Sequence, residues 1–149
     1  MVLRWILFGM MLFSFNILPS AAEELTEEQK EIAVEKISAA IDSAKSWLGV
    51  VDSGKYNASW DQAAQLFKDK VPVDQWETSL QQVRYPLGKL LSREVANYQY
   101  LTFLPGAPKG EYVVIQFKTS FEEKSGSIET ITPMLDSDGV WRVSGYYIK

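Results

Sequence analysis

The chain of 149 residues has no histidine and no cysteine. Together these absences remove the Ser-His-Asp and Cys-His nucleophile systems and ordinary zinc, copper and haem ligation. Without cysteine there is no disulfide staple, so an apolar core must hold the fold together. No glycine-rich phosphate loop follows a strand, since Gly106 and Gly110 fall in the proline-containing loop Pro105-Gly106-Ala107-Pro108-Lys109-Gly110. Basic residues form neither a stripe nor a polybasic patch: 15 Lys and Arg alternate with 19 Asp and Glu, for a net charge of −4. That pattern carries no nucleic-acid footprint and no anchor for anionic lipid, and its mild acidity reads as a solubility feature. The chemistry left to the chain is that of carboxylate, tyrosine, lysine and arginine, and no metal or cofactor is expected.

A long apolar run is also missing. Trp5 to Leu18 is short for a membrane span and has the length of a signal-peptide core. Arg4 precedes it, Pro19 breaks it, and Ser20-Ala21-Ala22 puts small residues where a signal peptidase reads. Residues 1–22 are therefore expected to be a removable targeting segment. Residues 23–149 are expected to be one exported domain with no stable membrane insertion. Removing Arg4 takes the formal charge to −5. The lack of cysteine fits a bacterial periplasm better than a eukaryotic secretory route, and the Asn57-Ala58-Ser59 glycosylation pattern is read as chance.

Helical signals come before strand signals, which predicts an α+β fold. Thr26 and Gln29 have capping-box spacing, and Ala33, Ile37, Ala40, Ala44, Trp47 and Val51 recur in steps of three and four up to Gly54. Tyr56, Trp60, Ala63 and Phe67 predict a second helix. Val73, Trp76, Leu80, Val83 and Leu87, behind Pro72, predict a third. From Ser92 the period becomes two. Strands are predicted over Arg93–Leu104, Val113–Phe121 and Ser127–Leu135, with a polar turn at Glu122–Gly126 and Pro133 marking an edge or a bulge. The hairpin turn Asp136-Ser137-Asp138-Gly139 then feeds a terminal run of β-branched and aromatic residues, expected to be pinned inside the sheet. In that run strict alternation puts Trp141 and Val143 on one face, and Arg142, Ser144 and Tyr146 on the other, with Gly145 read as a bend or bulge between them. The whole reads as three helices packed on a curved, mostly antiparallel four-stranded sheet, a roll with a cone-shaped space between the layers.

A second set of residues carries a family resemblance. Tyr56-Asn57-Ala58-Ser59-Trp60, Arg84-Tyr85-Pro86-Leu87-Gly88, Ser92-Arg93, Leu104-Pro105-Gly106-Ala107-Pro108, Gly110-Glu111-Tyr112-Val113-Val114, Ser120-Phe121, Glu129-Thr130 and the stretch from Gly139 to Tyr146 resemble the bacterial exported domain-of-unknown-function family 4019. The resemblance runs from about Ala44 to the end. It implies a roll of the nuclear-transport-factor-two-like, cystatin-like kind, a superfold that hosts enzymes and binding modules alike and so implies no activity.

Three groups of residues are candidates for function. Arg84, Arg93 and Glu129 stand out because arginine, rare here at four against eleven lysines, suits bidentate and partly buried pairing with a carboxylate. They predict either a structural bridge between the third helix and the sheet or a site for an anionic ligand. A proton-transfer enzyme would use Asp61 or Glu129 as base and Tyr98 or Tyr100 as oxyanion donor in an apolar cavity. Trp47, Trp60, Trp76 and Trp141 lie on apolar stripes or a strand and are expected to pack the core. The expected function is a non-enzymatic binding or accessory module, its partner either a small ligand in the roll or a protein docked on its surface. The proton-transfer isomerase is the alternative.

Overall fold

The computed structural model describes residues 24–149, so the expected targeting segment at 1–22 lies outside the described residues. Helices come first: α1 (Glu27–Asp52), α2 (Tyr56–Gln62), α3 (Gln65–Lys70) and α4 (Val73–Arg84), the last running into a 3-10 turn at Tyr85–Leu87. The strands β1 (Leu90–Leu101), β2 (Tyr112–Phe121), β3 (Lys124–Leu135) and β4 (Trp141–Ile148) follow. They form one sheet in the order β1-β2-β3-β4 with every neighbour antiparallel. This is the α+β arrangement predicted, helices segregated to one face of a curved, open sheet.

α1 begins at a reciprocal capping box. The Gln29 N–H donates to Thr26 Oγ1 at 3.2 Å, and the Thr26 N–H donates to Gln29 Oε1 at 2.8 Å. Its apolar stripe buries Ala40, Ala44, Trp47, Leu48 and Val51. Gly54, at φ 74°, lets the chain leave the helix in a conformation that side chains resist.

The predicted second helix is broken into α2 and α3. Ala63 and Ala64 are extended there, with ψ of 162° and 149°. The cause is tertiary: the Ala64 N–H donates to the Val143 carbonyl of β4 at 2.8 Å, in place of a bond within the helix. Both alanines are buried, and their small side chains let the backbone reach the sheet. On α4 the buried stripe is Trp76, Leu80 and Arg84. Val83, predicted on that stripe, is 44% exposed.

Bulges account for the departures in the sheet. The β2–β3 turn is shorter than predicted, with only Glu122 and Glu123 between the strands, and Gly126 at φ 73° sits inside β3 beside a register shift. Pro133 lies on an interior strand, at a shift where Val143 pairs with Pro133 and Gly145 with Thr132. Ser144 is therefore an extra residue on β4. One extra residue reverses the facing of everything beyond it. Tyr146 consequently points to the helix side with Trp141 and Val143, opposite to the face that strict alternation predicts.

Aromatic rings fill the space between the layers. Trp47 lies 5.8 Å from Trp76 and 5.6 Å from Tyr146, and Phe67 meets the edge of Trp76 at 5.0 Å between centroids. Such tilted and edge contacts add to the burial of area. The indole donors are satisfied internally: Trp47 Nε1 donates to the Ser59 carbonyl at 2.7 Å, and Trp76 Nε1 to Ser59 Oγ at 3.0 Å.

Candidate functional site

Two arginines and two carboxylates meet at one end of this aromatic core. Each comes from a different element. Asp52 is the last residue of α1 and Arg84 the last of α4; Arg93 lies on β1 and Glu129 on β3. Thr119 of β2 and Tyr146 of β4 complete the group, so all four strands contribute.

The geometry is a closed ring of ion pairs. Arg93 Nε donates to Glu129 Oε1 at 2.7 Å, while its Nη1 and Nη2 donate to the two Asp52 oxygens at 2.6 and 2.9 Å. Arg84 Nη2 donates to Asp52 Oδ1 at 2.6 Å and its Nη1 to Glu129 Oε2 at 3.1 Å. Thr119 Oγ1 donates to Glu129 Oε1 and Tyr146 Oη to Glu129 Oε2, both at 2.7 Å. Glu129 has no exposed surface, and four donors occupy the acceptor positions of its two oxygens. The Arg84 guanidinium also lies over the Phe121 ring at 4.5 Å, while its Nε has no hydrogen-bond partner.

Two positive and two negative charges cancel, which is the condition for burying so many at once. Burial alone would raise the Asp52 pKa, but hydrogen bonds and charge from Arg93 and then Arg84 hold it below the usual carboxylate range. The Tyr146 hydroxyl is pushed well above its ordinary value, first by burial and then by the neighbouring Glu129 charge. Both guanidiniums are held protonated more firmly than usual, their anionic and hydroxyl partners outweighing desolvation.

The other candidate residues lie elsewhere. Tyr98 is half exposed and lines an apolar cleft with Val34, Ile37 and Ile41 of α1. Tyr100 sits by a pair formed by Lys36 and Glu111 at 2.9 Å, and burial followed by the Glu111 contact raises its pKa. Asp61 is exposed at the end of α2, on an open polar cleft with Asp136, Asp138 and Arg142. None of these three meets Glu129. Conversely, Asp52, Thr119 and Tyr146 were not among the residues that the sequence singled out for function. Tyr146 was hidden by the bulge at Ser144. Asp52 carried a signal, an acidic residue at the wrong end of a helix.

The family comparison covers every residue of the ring. A family model described as "Protein of unknown function (DUF4019)" matches residues 43–146, from the middle of α1 to Tyr146 itself. The chain belongs to the DUF4019 family. No curated protein and no solved structure matches it. In this DUF4019 protein the ring ties the C-terminal ends of α1 and α4 to every strand. Its immediate chemical capacity is to clamp the fold shut. Beside it a shallow cleft of about 230 Å³, lined by Tyr56, Tyr85, Lys89 and Glu122, exposes the edges of Asp52 and Arg84.

Proposed function

We propose that this protein is an exported, non-enzymatic docking module that recognises its partner on its outer surface. The filling of the interlayer space carries this reading: Trp47, Phe67, Trp76 and Tyr146 pack against one another where a roll would otherwise hold a small ligand. The ring supports it as well. Arg84 and Arg93 spend their charged ends on Asp52 and Glu129, which leaves little for an anionic ligand. Among the described residues a proton-transfer enzyme could draw on Glu129 with Tyr146, hydrogen-bonded at 2.7 Å, or on Glu111 with Tyr100, where Lys36 already pairs with the carboxylate. The oxygens of Glu129 are already taken by two guanidiniums and two hydroxyls, and none faces a space that a substrate could enter.

The test is made in the producing bacterium. The protein should be recovered outside the cytoplasm with Glu23 as its first residue, read by intact mass. Crosslinking in intact cells should join it to one discrete protein. Retention in the cytoplasm would refute export, and the absence of any discrete crosslinked species would refute docking.

A further inference from the structure

The cleft beside the ring carries charges that the fold itself does not use. Lys89 and Glu122 both line it, yet among the described residues neither side chain forms an ion pair, with the other or with a third group. Elsewhere on this chain opposite charges do find each other, as Lys36 finds Glu111 and Arg142 finds Asp136 and Asp138.

Glu122 is exposed but fixed in place. Its Oε2 accepts the Lys89 N–H at 2.9 Å, and its own N–H donates to the Lys89 carbonyl at 2.9 Å. The Glu123 N–H donates to the Leu87 carbonyl at 3.0 Å, so the turn after β2 is tied to the start of β1. Gly88 makes room for this contact: a Cβ there would lie 2.8 Å from Glu122 Oε2. The backbone thus holds one oxygen of the carboxylate and leaves Oε1 open. A second open acceptor comes from the ring. Asp52 Oδ1 accepts from both arginines, but Oδ2 accepts from Arg93 alone, and a carboxylate oxygen has room for two donors. The Asp52 side chain is 17% exposed and lines the same cleft.

The charges of the site sum to zero. The ring is neutral, and Lys89 cancels Glu122, so net charge favours neither a simple anion nor a simple cation. What the cleft offers is a free ammonium and open carboxylate oxygens, with the rings of Tyr56 and Tyr85 on its wall. Its complement is a small molecule with one charge of each sign and an apolar part. At about 230 Å³ the cleft is smaller than pockets for drug-sized ligands.

We infer that this cleft binds a free amino acid in its zwitterionic form. The ligand carboxylate meets Lys89 Nζ. Its ammonium donates to Glu122 Oε1 and to the open position of Asp52 Oδ2, and an apolar side chain lies against Tyr56 and Tyr85. Because the ring fixes Asp52 and the backbone fixes Glu122, little ordering of the acceptors is needed on binding. The site lies outside the filled interlayer space and does not depend on the docking reading.

Calorimetry of the purified protein with L-phenylalanine and L-leucine, then with the other common amino acids, tests this. Phenylalaninamide lacks the negative charge and N-acetylphenylalanine lacks the positive one. Each should bind about tenfold or more weakly than phenylalanine. Lys89→Met should weaken phenylalanine about tenfold and remove its advantage over the amide. Glu122→Gln should remove its advantage over the acetyl derivative, while the new amide oxygen still accepts the Lys89 N–H. Tyr85→Ala, at a ring 84% exposed, should weaken all three ligands and leave the urea midpoint unchanged. The comparison of ligands uses the unaltered protein, so it holds even where a variant is unstable. If the acetyl derivative binds as well as phenylalanine, the site takes anions only; if the amide does, it takes cations only. Either result would overturn the zwitterion, as would binding that survives both charge variants. The absence of heat with every amino acid at millimolar concentration would overturn the site altogether. None of these results touches the docking reading, which stands or falls on the crosslink in cells.

Discussion

Removing one arginine from the buried ring exposes the physics that holds this fold together. Arg84→Met keeps much of the aliphatic stem and its packing near Phe121 but deletes the charge. Asp52 and Glu129 are then left with Arg93 alone, and the ring carries an unbalanced negative charge around a glutamate with no exposed surface. Breaking a buried pair in this way costs about 3–5 kcal/mol. At about 4 °C per kcal/mol for a domain of this size, Tm should fall by about 12–20 °C. Glu129→Gln alone should cost a similar amount, because Arg84 loses a partner and the ring becomes positive. The double variant restores neutrality and keeps the two-pronged Arg93–Asp52 pair. It should therefore be more stable than the sum of the two losses by about 2 kcal/mol, at the upper part of the range for coupled neighbours. Urea unfolding followed by tryptophan fluorescence suits the measurement, because Trp47 and Trp76 contact Tyr146 beside the ring. Additivity within about 0.5 kcal/mol would refute the reasoning, as would single losses below about 1 kcal/mol.

Two further outcomes follow from the same groups. Asp52 is held below its ordinary pKa, so the stability it contributes is complete above about pH 5 and drains away as pH falls through its lowered folded value. Urea midpoints measured from about pH 5 downward should fall, and Asp52→Asn should flatten part of that fall; an unchanged acid limb in Asp52→Asn would show that the ring does not govern it. Ser59 is fully buried, accepts the Trp76 indole N–H and donates to the Tyr56 carbonyl. Ser59→Ala strands that indole donor and should cost about 1–3 kcal/mol in urea unfolding, and a loss within error of zero would mean the indole finds another partner.

Much of the architecture was legible because it depends on local pattern. The Thr26–Gln29 box, the alanine stripe of α1 and the switch to period two are all short-range signals, and each element they announce is present. The departures come where a long-range bond competes with the local preference. Ala63 and Ala64 continue a helical pattern in the sequence, yet the Ala64 N–H finds a carbonyl on β4, far along the chain, and the helix breaks. Parity along β4 fails for the same kind of reason. Pro133 has no N–H to give the ladder, the register shifts beside it, and Tyr146 turns inward. Pro133 was readable as a bulge marker, but its consequence for a residue on the neighbouring strand was not.

The ring was half legible, and the half that was missed follows from electrostatics rather than pattern. Arg84 and Arg93 draw notice by their rarity, and Glu129 by the chemistry that arginine seeks. Asp52 looks like an ordinary polar residue near a helix end. A helix C-terminus carries a partial negative charge, so a carboxylate there is unfavourable by a few tenths of a kcal/mol or more before any burial is counted. The last turn of α1 holds no basic residue to offset it. A carboxylate in that position, on a helix whose neighbouring residue Val51 is buried, therefore needs cations from outside its own element. Arg84 answers that need from the favourable end of α4, where the dipole welcomes a positive charge, and Arg93 answers it from β1. Each helix end is thus offset by the other, with Arg93 and Glu129 balancing the remainder inside the sheet. This mutual dependence also explains why four charges are tolerated in a place where any one of them would be costly.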